Sequence, residues 1–341
     1  VIAKVLSDGL KPGGDAYFYM PLSILLNDGA HDVFRNYNIN GISFAITEIF
    51  EQTAANVFPG IGTSYCFCVF KRDQEPSFPV PYHEYLNSTD CVEKSAYPAY
   101  GPNSPLLITE LGAEPMSAPS IAVAKSSCPR QGVNTCGAND IFIFDRCDAV
   151  GNGMVKLSNK SRKNVILPRT LVYPLIGKGF FSQDELVSER FIFIPHDKTS
   201  GKPLAEEQLR EYPEAVKYLS KVRRFLVKRR GMMINAKIKK GQWWALLGVG
   251  NYSFVPWKIV WQAYGVSRFA PRLINTSEIC WQGNNALHAF MPFTNEQEAG
   301  RVYRELVNAP IDQYLTLHRA GGSCNWAQPG RIKKFLEIQD S

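Results

Sequence analysis

The hydrophobic positions in residues 1–75 form short runs that are separated by turn-forming residues. The apolar run from Ala16 to Met20 is closed by a proline, and the run from Tyr65 to Phe70 is also strand-like. Together with the residues that follow it, the first of these runs, Ala16 to Leu26, is typical of a buried strand that leads into the start of a helix.

Further along the chain, short strand-like runs are combined with longer helical patterns. Between Glu214 and Lys228 apolar residues recur at helical spacing, which predicts an amphipathic helix with one buried face. Asn295 to Asn308 predicts another helix, with Thr294 as its N-cap. Strand-like runs such as Ile141 to Asp145 and Arg190 to Pro195 lie between aromatic and basic residues, and together these patterns predict an α+β region.

The stretch from Pro76 to Pro119 contains eight prolines among turn-forming residues. Proline cannot donate a hydrogen bond to a sheet, so it is rare inside paired strands. We therefore expect residues 76–125 to form an irregular connector between two folded parts.

The composition is that of a folded protein, because 45% of its 341 residues are hydrophobic. No run of about 18 uninterrupted apolar residues occurs, so we expect neither a membrane span nor a signal peptide, and we predict a cytoplasmic location. The eight cysteines include no Cys-x-x-Cys pair and the five histidines are scattered, so no metal site is expected.

Positive charge is concentrated in one part of the chain. Residues 156–272 carry 23 Lys and Arg against 8 Asp and Glu, whereas the net charge of the whole chain is only +7. The densest stretch, Lys217 to Lys240, holds ten cations and no acidic residue. Charge of a single sign predicts a polyanionic partner such as DNA, although a solvated basic helix face is the common alternative.

Two loop motifs near the start of the chain precede strand-like runs. Lys11 to Gly14 (sequence KPGG) precedes the run that begins at Ala16, and Asn56 to Ser64 (sequence NVFPGIGTS) leads into Tyr65 to Phe70. In this order, the motifs resemble the distal half of the catalytic domain of amino-methylating DNA methyltransferases, especially the Taq-type adenine-N6 group. The resemblance implies helices at Ile2 to Leu10 and Leu22 to Tyr37, and strands at Ala16 to Pro21, Ile42 to Phe50 and Ser64 to Lys71. The loop Gln131 to Asp140 resembles the segment that opens the target recognition domain of that family.

The resemblance implies an α/β fold made of two parts. An incomplete Rossmann-like methyltransferase half-domain, residues 1–75, would be followed after the 76–125 connector by an α+β DNA target recognition domain with C-terminal helices, residues 126–341. The intact enzyme, expected in a restriction-modification system, would transfer a methyl group from S-adenosylmethionine to the exocyclic amine of adenine. The family's cofactor loop and its Asn/Asp-Pro-Pro-aromatic motif are not found in this sequence. We therefore expect no catalytic residue in this chain, which alone would be inactive, and a cofactor site in an upstream segment or a second polypeptide.

The implied site residues would contact double-stranded DNA. The resemblance places Phe58 where the family's loop aromatic stacks against a base flipped out of the duplex, with burial in the core as the alternative. The other candidates are polar or cationic side chains expected to contact phosphates or base edges. They are Asn134, Thr135, Lys178, Lys221, Arg223, Arg224, Lys228, Arg229, Arg230, Lys258 and Arg268. For Asn134 and Thr135, hydrogen bonds to their own turn are an equal alternative.

Two other functions fit the same sequence. The first is a non-catalytic DNA specificity subunit that serves a partner with nuclease or methyltransferase activity. The second is an RNA-binding module, because surfaces rich in basic and aromatic residues also suit unstacked RNA. Cytosine-N4 methylation is a further alternative to adenine-N6 methylation, because the distal elements of the two groups differ little.

Overall fold

The computed structural model describes residues 1–27, 31–99, 101–114, 118–181, 188–265, 268–317 and 327–340, and for residues 178, 179 and 317 it describes only the backbone. The chain divides into two compact units. The first unit comprises Val1–Ala118 and Pro310–Ser323. The second unit comprises Pro119–Ala309 and Cys324–Ser341.

The regular elements are named in chain order. The strands are β1 (Asp15–Pro21), β2 (Asn38–Ile39), β3 (Ile42–Glu51), β4 (Tyr65–Arg72), β5 (Val80–Tyr85), β6 (Cys91–Pro98), β7 (Leu106–Glu110), β8 (Ile121–Ala124), β9 (Arg130–Gln131), β10 (Ile143–Phe144), β11 (Arg146–Gly151), β12 (Met154–Ser158), β13 (Val165–Pro168), β14 (Val172–Leu175), β15 (Arg190–Phe193), β16 (Trp257–Gln262), β17 (Arg272–Asn275), β18 (His288–Phe293) and β19 (Leu336–Gln339). The α-helices are α1 (Ile2–Lys4), α2 (Ser23–Leu26), α3 (Asn139–Phe142), α4 (Glu206–Arg210), α5 (Pro213–Leu226), α6 (Met232–Lys239), α7 (Glu296–Asn308), α8 (Ile311–Leu317) and α9 (Pro329–Ile332).

The first unit is built around a mixed seven-stranded sheet. Its strand order is β1-β4-β3-β5-β6-β7, and β2 pairs with β3 beside this path. β4 is antiparallel to both of its neighbours, so β1 and β3 run in the same direction with β4 reversed between them. β3 and β5 are parallel, whereas β5, β6 and β7 are antiparallel in succession. Strands and helices thus form a mixed α/β unit, consistent with the predicted α/β class.

Alternation along β1 and β4 gives this end of the sheet one buried face and one open face. In β4, Cys66, Cys68 and Phe70 are fully buried. In the neighbouring β1, Tyr17 and Tyr19 are exposed. Successive strand side chains point to opposite faces, so these tyrosines lie on the face away from the core.

Most elements predicted for residues 1–75 are present, with one exception. The three predicted strands are confirmed as β1, β3 and β4, and the first predicted helix corresponds to α1 and a π-helical turn at Val5–Gly9. The predicted helix from Leu22 to Tyr37 is wrong, because α2 ends at Leu26 and, among the described residues up to Tyr37, only a 3₁₀ turn follows, at Phe34–Asn36. The sequence Asn-Asp-Gly comes directly after α2, and Asn27 is already extended. Those residue types favour turns over a continuing helix.

The expectation of an irregular connector at residues 76–125 is also wrong. Strands β5, β6 and β7 extend the sheet of the first unit, and β8 belongs to the second unit. The prolines occupy places that a strand tolerates. Pro98 is the last residue of β6, and Pro81 precedes the β5 residues that pair with β3.

In its described residues, the second unit contains four smaller sheets. β17-β16-β18-β9 form an antiparallel sheet, β10-β15-β14 and β11-β12-β13 form two more, and β8 pairs in parallel with β19. The run Ile141 to Asp145 was predicted as a strand, but it begins inside α3 and is extended only at Ile143–Phe144. The run that begins at Arg190 is confirmed as β15.

The two longest helices of the second unit follow the predicted patterns. The helix predicted from Glu214 to Lys228 is confirmed as α5, with a proline in its first turn. The helix predicted to begin at Asn295 is confirmed as α7, but its N-cap is Asn295 and not Thr294. The Asn295 side chain accepts a hydrogen bond from the Glu298 N–H at 2.8 Å. In the described part of the chain, no helix has the length and apolar character needed to cross a bilayer.

Glycines permit close backbone crossings at the centre of the second unit. The segment after β9 is bridged to Asn284 on one side and to Leu247 on the other. A Cβ atom at Gly132 would overlap the Gly283 carbonyl, and one at Gly248 would crowd the Gly132 carbonyl. Only glycine fits at these crossings, which fix the position of the following Asn134–Asn139 turn.

Candidate nucleic-acid interface

Helix α5 has an apolar side in the core of the second unit and a cationic side in solvent. Tyr218 anchors the buried side, because its hydroxyl donates to the Ile141 carbonyl at 2.7 Å. The buried residues of the helix are Ala215, Tyr218, Leu219, Val222 and Leu226. Because this spacing fixes the rotation of the helix, the intervening cations must face outward.

The basic face consists of six exposed cations on α5 and the turn that follows it. Its members are Lys217, Lys221, Arg223, Arg224, Lys228 and Arg230. None of them forms an ion pair with a carboxylate of the described residues. Arg223 lies over the Trp243 ring at 5.3 Å and Arg224 over the Phe225 ring at 4.7 Å. These contacts hold the guanidinium groups near the surface and leave their N–H donors free for an anion.

A groove of about 510 Å³ lies between α5 and the turn that joins β12 to β13. Lys217 and Lys221 line it from the helix, and Arg162 and Lys163 line it from the turn. Glu214 also lines the groove at its helix side. With four cations against one carboxylate, the groove continues the positive charge of the basic face toward the β12–β13 turn.

The turn side of the groove was not among the predicted site residues. Lys163 is exposed, and it forms no ion pair with the residues that the structure describes. Arg162 is partly engaged, because its Nε donates to the Asp140 carbonyl at 3.1 Å and its guanidinium lies 3.6 Å from the Asp140 carboxylate. A signal was available, since residues 156–163 contain four cations and no acidic residue. The ten cations from Lys217 to Lys240 are a stronger charge signal, and the prediction followed that signal alone.

Arg229 was predicted to contact DNA, and the structure contradicts this. It is only 7% exposed, and its guanidinium donates to four backbone carbonyls. They belong to Leu226 (3.2 Å), Thr135 (3.2 Å), Trp243 (2.7 Å) and Ala245 (2.9 Å). Burial lowers the pKa of Arg229 from its usual value, yet a guanidinium remains charged at neutral pH. Arg229 therefore joins the C-terminal end of α5 to two neighbouring segments.

Lys258 was also predicted to contact DNA, and this prediction is wrong. Its side chain is in the interior beside β18, and the residue is 2% exposed. The Nζ group donates to the Ser253 carbonyl at 2.7 Å and to the Trp281 carbonyl at 2.8 Å. Burial lowers the pKa of Lys258 to about 8. Lys258 lies in β16, a central strand of its sheet, and this position buries the cation. The sequence alone did not show that β16 is central.

The candidates Asn134 and Thr135 lie in a turn that uses their side chains. Asn134 Oδ1 accepts from the Cys136 N–H at 2.7 Å, and the Thr135 hydroxyl is bonded to Asn139 Oδ1 at 2.6 Å. Thr135 is buried, whereas Asn134 is partly exposed. The alternative of local turn bonding thus describes both side chains in this structure.

The last two cationic candidates differ in what the structure describes. Arg268 is exposed. Lys178 begins a 3₁₀ turn, Lys178–Phe181, but its side chain lies outside the described part of the chain. Neither residue is on the basic face, so each remains a separate candidate for contact.

Phe58 lies in the loop between β3 and β4, where it is 38% exposed. Its ring meets Tyr19 edge-on with centroids 4.8 Å apart, and it meets Tyr65 in the same way at 5.3 Å. The Phe58 N–H donates to the Tyr65 hydroxyl at 3.1 Å. The loop is thereby tied to the open face of the sheet, and it presents an aromatic ring to solvent and not to the core.

The comparisons with known proteins give a likeness to solved structures and to no sequence family. No family model matches this chain, and no curated protein matches it. A solved structure of the type IIL restriction-modification enzyme MmeI in complex with DNA is similar to it, with a TM-score of 0.51 and 11% sequence identity. The similar region covers 86% of this chain and 35% of that protein, so this chain spans much less than the full length of MmeI. At this identity the likeness shows a related fold.

Proposed function

We propose that this chain supplies duplex DNA recognition to a site-specific DNA methyltransferase of a restriction-modification system. The observation that carries the proposal is the basic face, whose six cations have no acidic partner among the described residues. Neutralising phosphates with such cations releases counterions from DNA and dominates affinity. The fold likeness to MmeI, which was solved with DNA, supports the same partner.

In the proposed division of labour, the second unit reads the duplex and the first unit belongs to the catalytic domain. The intact enzyme would methylate the exocyclic amine of adenine with S-adenosylmethionine, bound by residues outside this chain. A base inside a duplex must be flipped out before its amine can react. The exposed ring of Phe58 would stack on that base, which offsets part of the unstacking energy.

The test of the proposal is duplex binding by a triple variant, Lys217→Gln, Lys221→Gln and Arg224→Gln. Each lost phosphate contact removes about 0.9 from the slope of log affinity against log salt. We expect the slope to fall by about 3, and the affinity at ~0.1 M salt to fall on the order of 100-fold. Measurement by fluorescence anisotropy across a salt series gives both quantities.

Arg304→Gln is the matched control, because Arg304 is an exposed arginine on another helix of the same unit. It should leave the slope within experimental error of the unmodified chain. An unchanged slope in the triple variant, with its melting temperature preserved, would remove the basic face from the interface.

A further inference from the structure

Arg130, which is not part of the basic face, is held rigidly at the edge of a cavity. Arg130 lies in β9, where it pairs with Phe290 of β18. Its guanidinium carbon lies 4.0 Å from the centre of the Tyr252 ring. Tyr252 belongs to a 3₁₀ turn, Asn251–Phe254, and its ring also packs near Phe290, at 6.2 Å. Strand pairing and ring stacking therefore fix both ends of the arginine side chain.

The side-chain donors of Arg130 have no acceptor among the described residues. Its Nε is buried and lacks a hydrogen-bond partner there. It also forms no ion pair with a described carboxylate, in contrast to Arg162 and Arg190. A guanidinium carries five N–H donors, and leaving a buried donor unsatisfied is costly. Such a group needs an explanation in a native structure, and an anion that draws the guanidinium toward the cavity would supply an acceptor.

The cavity beside Arg130 has the chemistry of an anion site. Its volume is about 210 Å³, and it is lined by the arginine and by hydroxyl and amide side chains on a floor that also includes Tyr252, Val255, Pro292 and Phe293. These polar residues are Ser126, Ser127, Asn251 and Thr294. No carboxylate is among its lining residues in the described part of the chain. Hydroxyls and the Asn amide can donate to oxyanion oxygens that the guanidinium leaves free.

We propose that this cavity binds the phosphate group of a ligand, with Arg130 as the bidentate donor. The planar fork of arginine matches two phosphate oxygens, and the stack on Tyr252 orients the fork before binding. The phosphate belongs either to a nucleic-acid backbone or to a free phosphate compound, since both present the same oxygens. The site is independent of the proposed function, because it uses no residue of the basic face.

The first arm of the test measures binding of inorganic phosphate to the full chain by calorimetry, at constant ionic strength set with sodium chloride. We expect saturable binding that Arg130→Gln weakens about tenfold or more. Arg130→Lys should weaken it as well, because a point charge cannot replace the fork. Tyr252→Phe keeps the ring face and should bind phosphate like the unmodified chain, whereas Tyr252→Leu should bind it more weakly.

The second arm measures duplex DNA binding across a salt series. If the phosphate comes from the DNA backbone, Arg130→Gln lowers the salt slope by about 1 and inorganic phosphate competes with the duplex. If it comes from a free compound, Arg130→Gln weakens phosphate binding and leaves the slope unchanged. Either result supports an oxyanion site. The site is refuted if Arg130→Gln and Tyr252→Leu both match the unmodified chain in both arms.

These outcomes separate the cavity from the proposed function. A chain that binds phosphate through Arg130 but does not bind duplex DNA would retain the site and overturn the proposed function. Duplex binding that depends on the basic face, combined with phosphate binding in the first arm that neither Arg130→Gln nor Tyr252→Leu weakens, would retain the proposed function and refute the site. Melting temperatures identify a variant that fails to fold. If Arg130→Gln or Tyr252→Leu fails to fold, the other of these two variants tests the site.

Discussion

Arg229 and Arg230 are adjacent in sequence and opposite in environment. Arg229 is buried against four carbonyls, whereas Arg230 is exposed on the basic face. Replacing Arg229 by Met would leave those carbonyls without their charged donor, so we expect the free energy of unfolding to fall by about 3 kcal/mol. Arg230→Met should change it by no more than ~0.5 kcal/mol. Urea unfolding of both variants makes this comparison.

In DNA binding the effects of the two substitutions should be reversed, with Arg230→Met weakening duplex affinity and Arg229→Met leaving its salt dependence unchanged. Arg230→Met is expected to lower the salt slope of duplex affinity by about 1, because one phosphate contact is lost. Arg229→Met, measured at a temperature where it is folded, should keep the slope of the unmodified chain. A reduced slope for Arg229→Met alone would contradict the structural role given to Arg229.

Phe58 can be tested without knowing the recognised sequence. A duplex with one bulged, unpaired adenine has already lost the base pairing that a flipping protein must break. We expect the chain to prefer this duplex over a fully paired one, and Phe58→Ala to lose that preference by about tenfold, since stacking contributes ~1–3 kcal/mol per base. The hydrogen bond from the residue 58 N–H to the Tyr65 hydroxyl survives the substitution, because its donor belongs to the backbone.

Tyr17→Ala is the control for Phe58, because Tyr17 is an exposed aromatic residue of the same sheet at 59% exposure. It should bind the bulged and paired duplexes in the same ratio as the unmodified chain. Equal loss of the preference in both variants would mean that the ring of Phe58 has no special role.

At the scale of elements, local pattern was sufficient where burial follows a clear period. The strands β1 and β4 are apolar runs and α5 repeats its apolar residues at helical spacing, so local pattern predicted these three elements. β3 has three successive buried residues and no simple alternation, and it was expected from the order of elements in the resemblance. The helix expected from Leu22 to Tyr37 followed from the order of elements in the resemblance, and the Asn-Asp-Gly turn signal after Leu26 contradicts it locally. β5 to β7 were missed because proline content was weighed more heavily than the apolar alternation around it.

The candidate site was predicted only in part, because local pattern predicts exposure only where the helical period applies. The charge run and the helical period together indicate an exposed cationic side of α5, as the structure shows. Beyond the end of α5 the helical period no longer applies, so the pattern could not separate Arg229 from Arg230. Lys258 depends on which strands flank β16, and the partner strand β18 lies about thirty residues later in the chain. Such pairing is a tertiary property that a local pattern does not contain.

For the whole molecule, the two units carry different features of the proposed function. The first unit has the open aromatic sheet face with Phe58, and the second has the basic face and the Arg130 cavity. The segregation of positive charge in residues 156–272 places it in the second unit. A chain organised in this way is expected to bind duplex DNA chiefly through its second unit.

The most direct test of that claim is the affinity of the unmodified chain for duplex DNA and for single-stranded RNA of matched sequence and length, measured by competition across a salt series. Contact of the six cations of the basic face with phosphates predicts a duplex slope near −5, at about −0.9 per contact, and a preference for the duplex over the RNA. Preferred binding of the RNA, or duplex binding that does not respond to salt, would contradict the account.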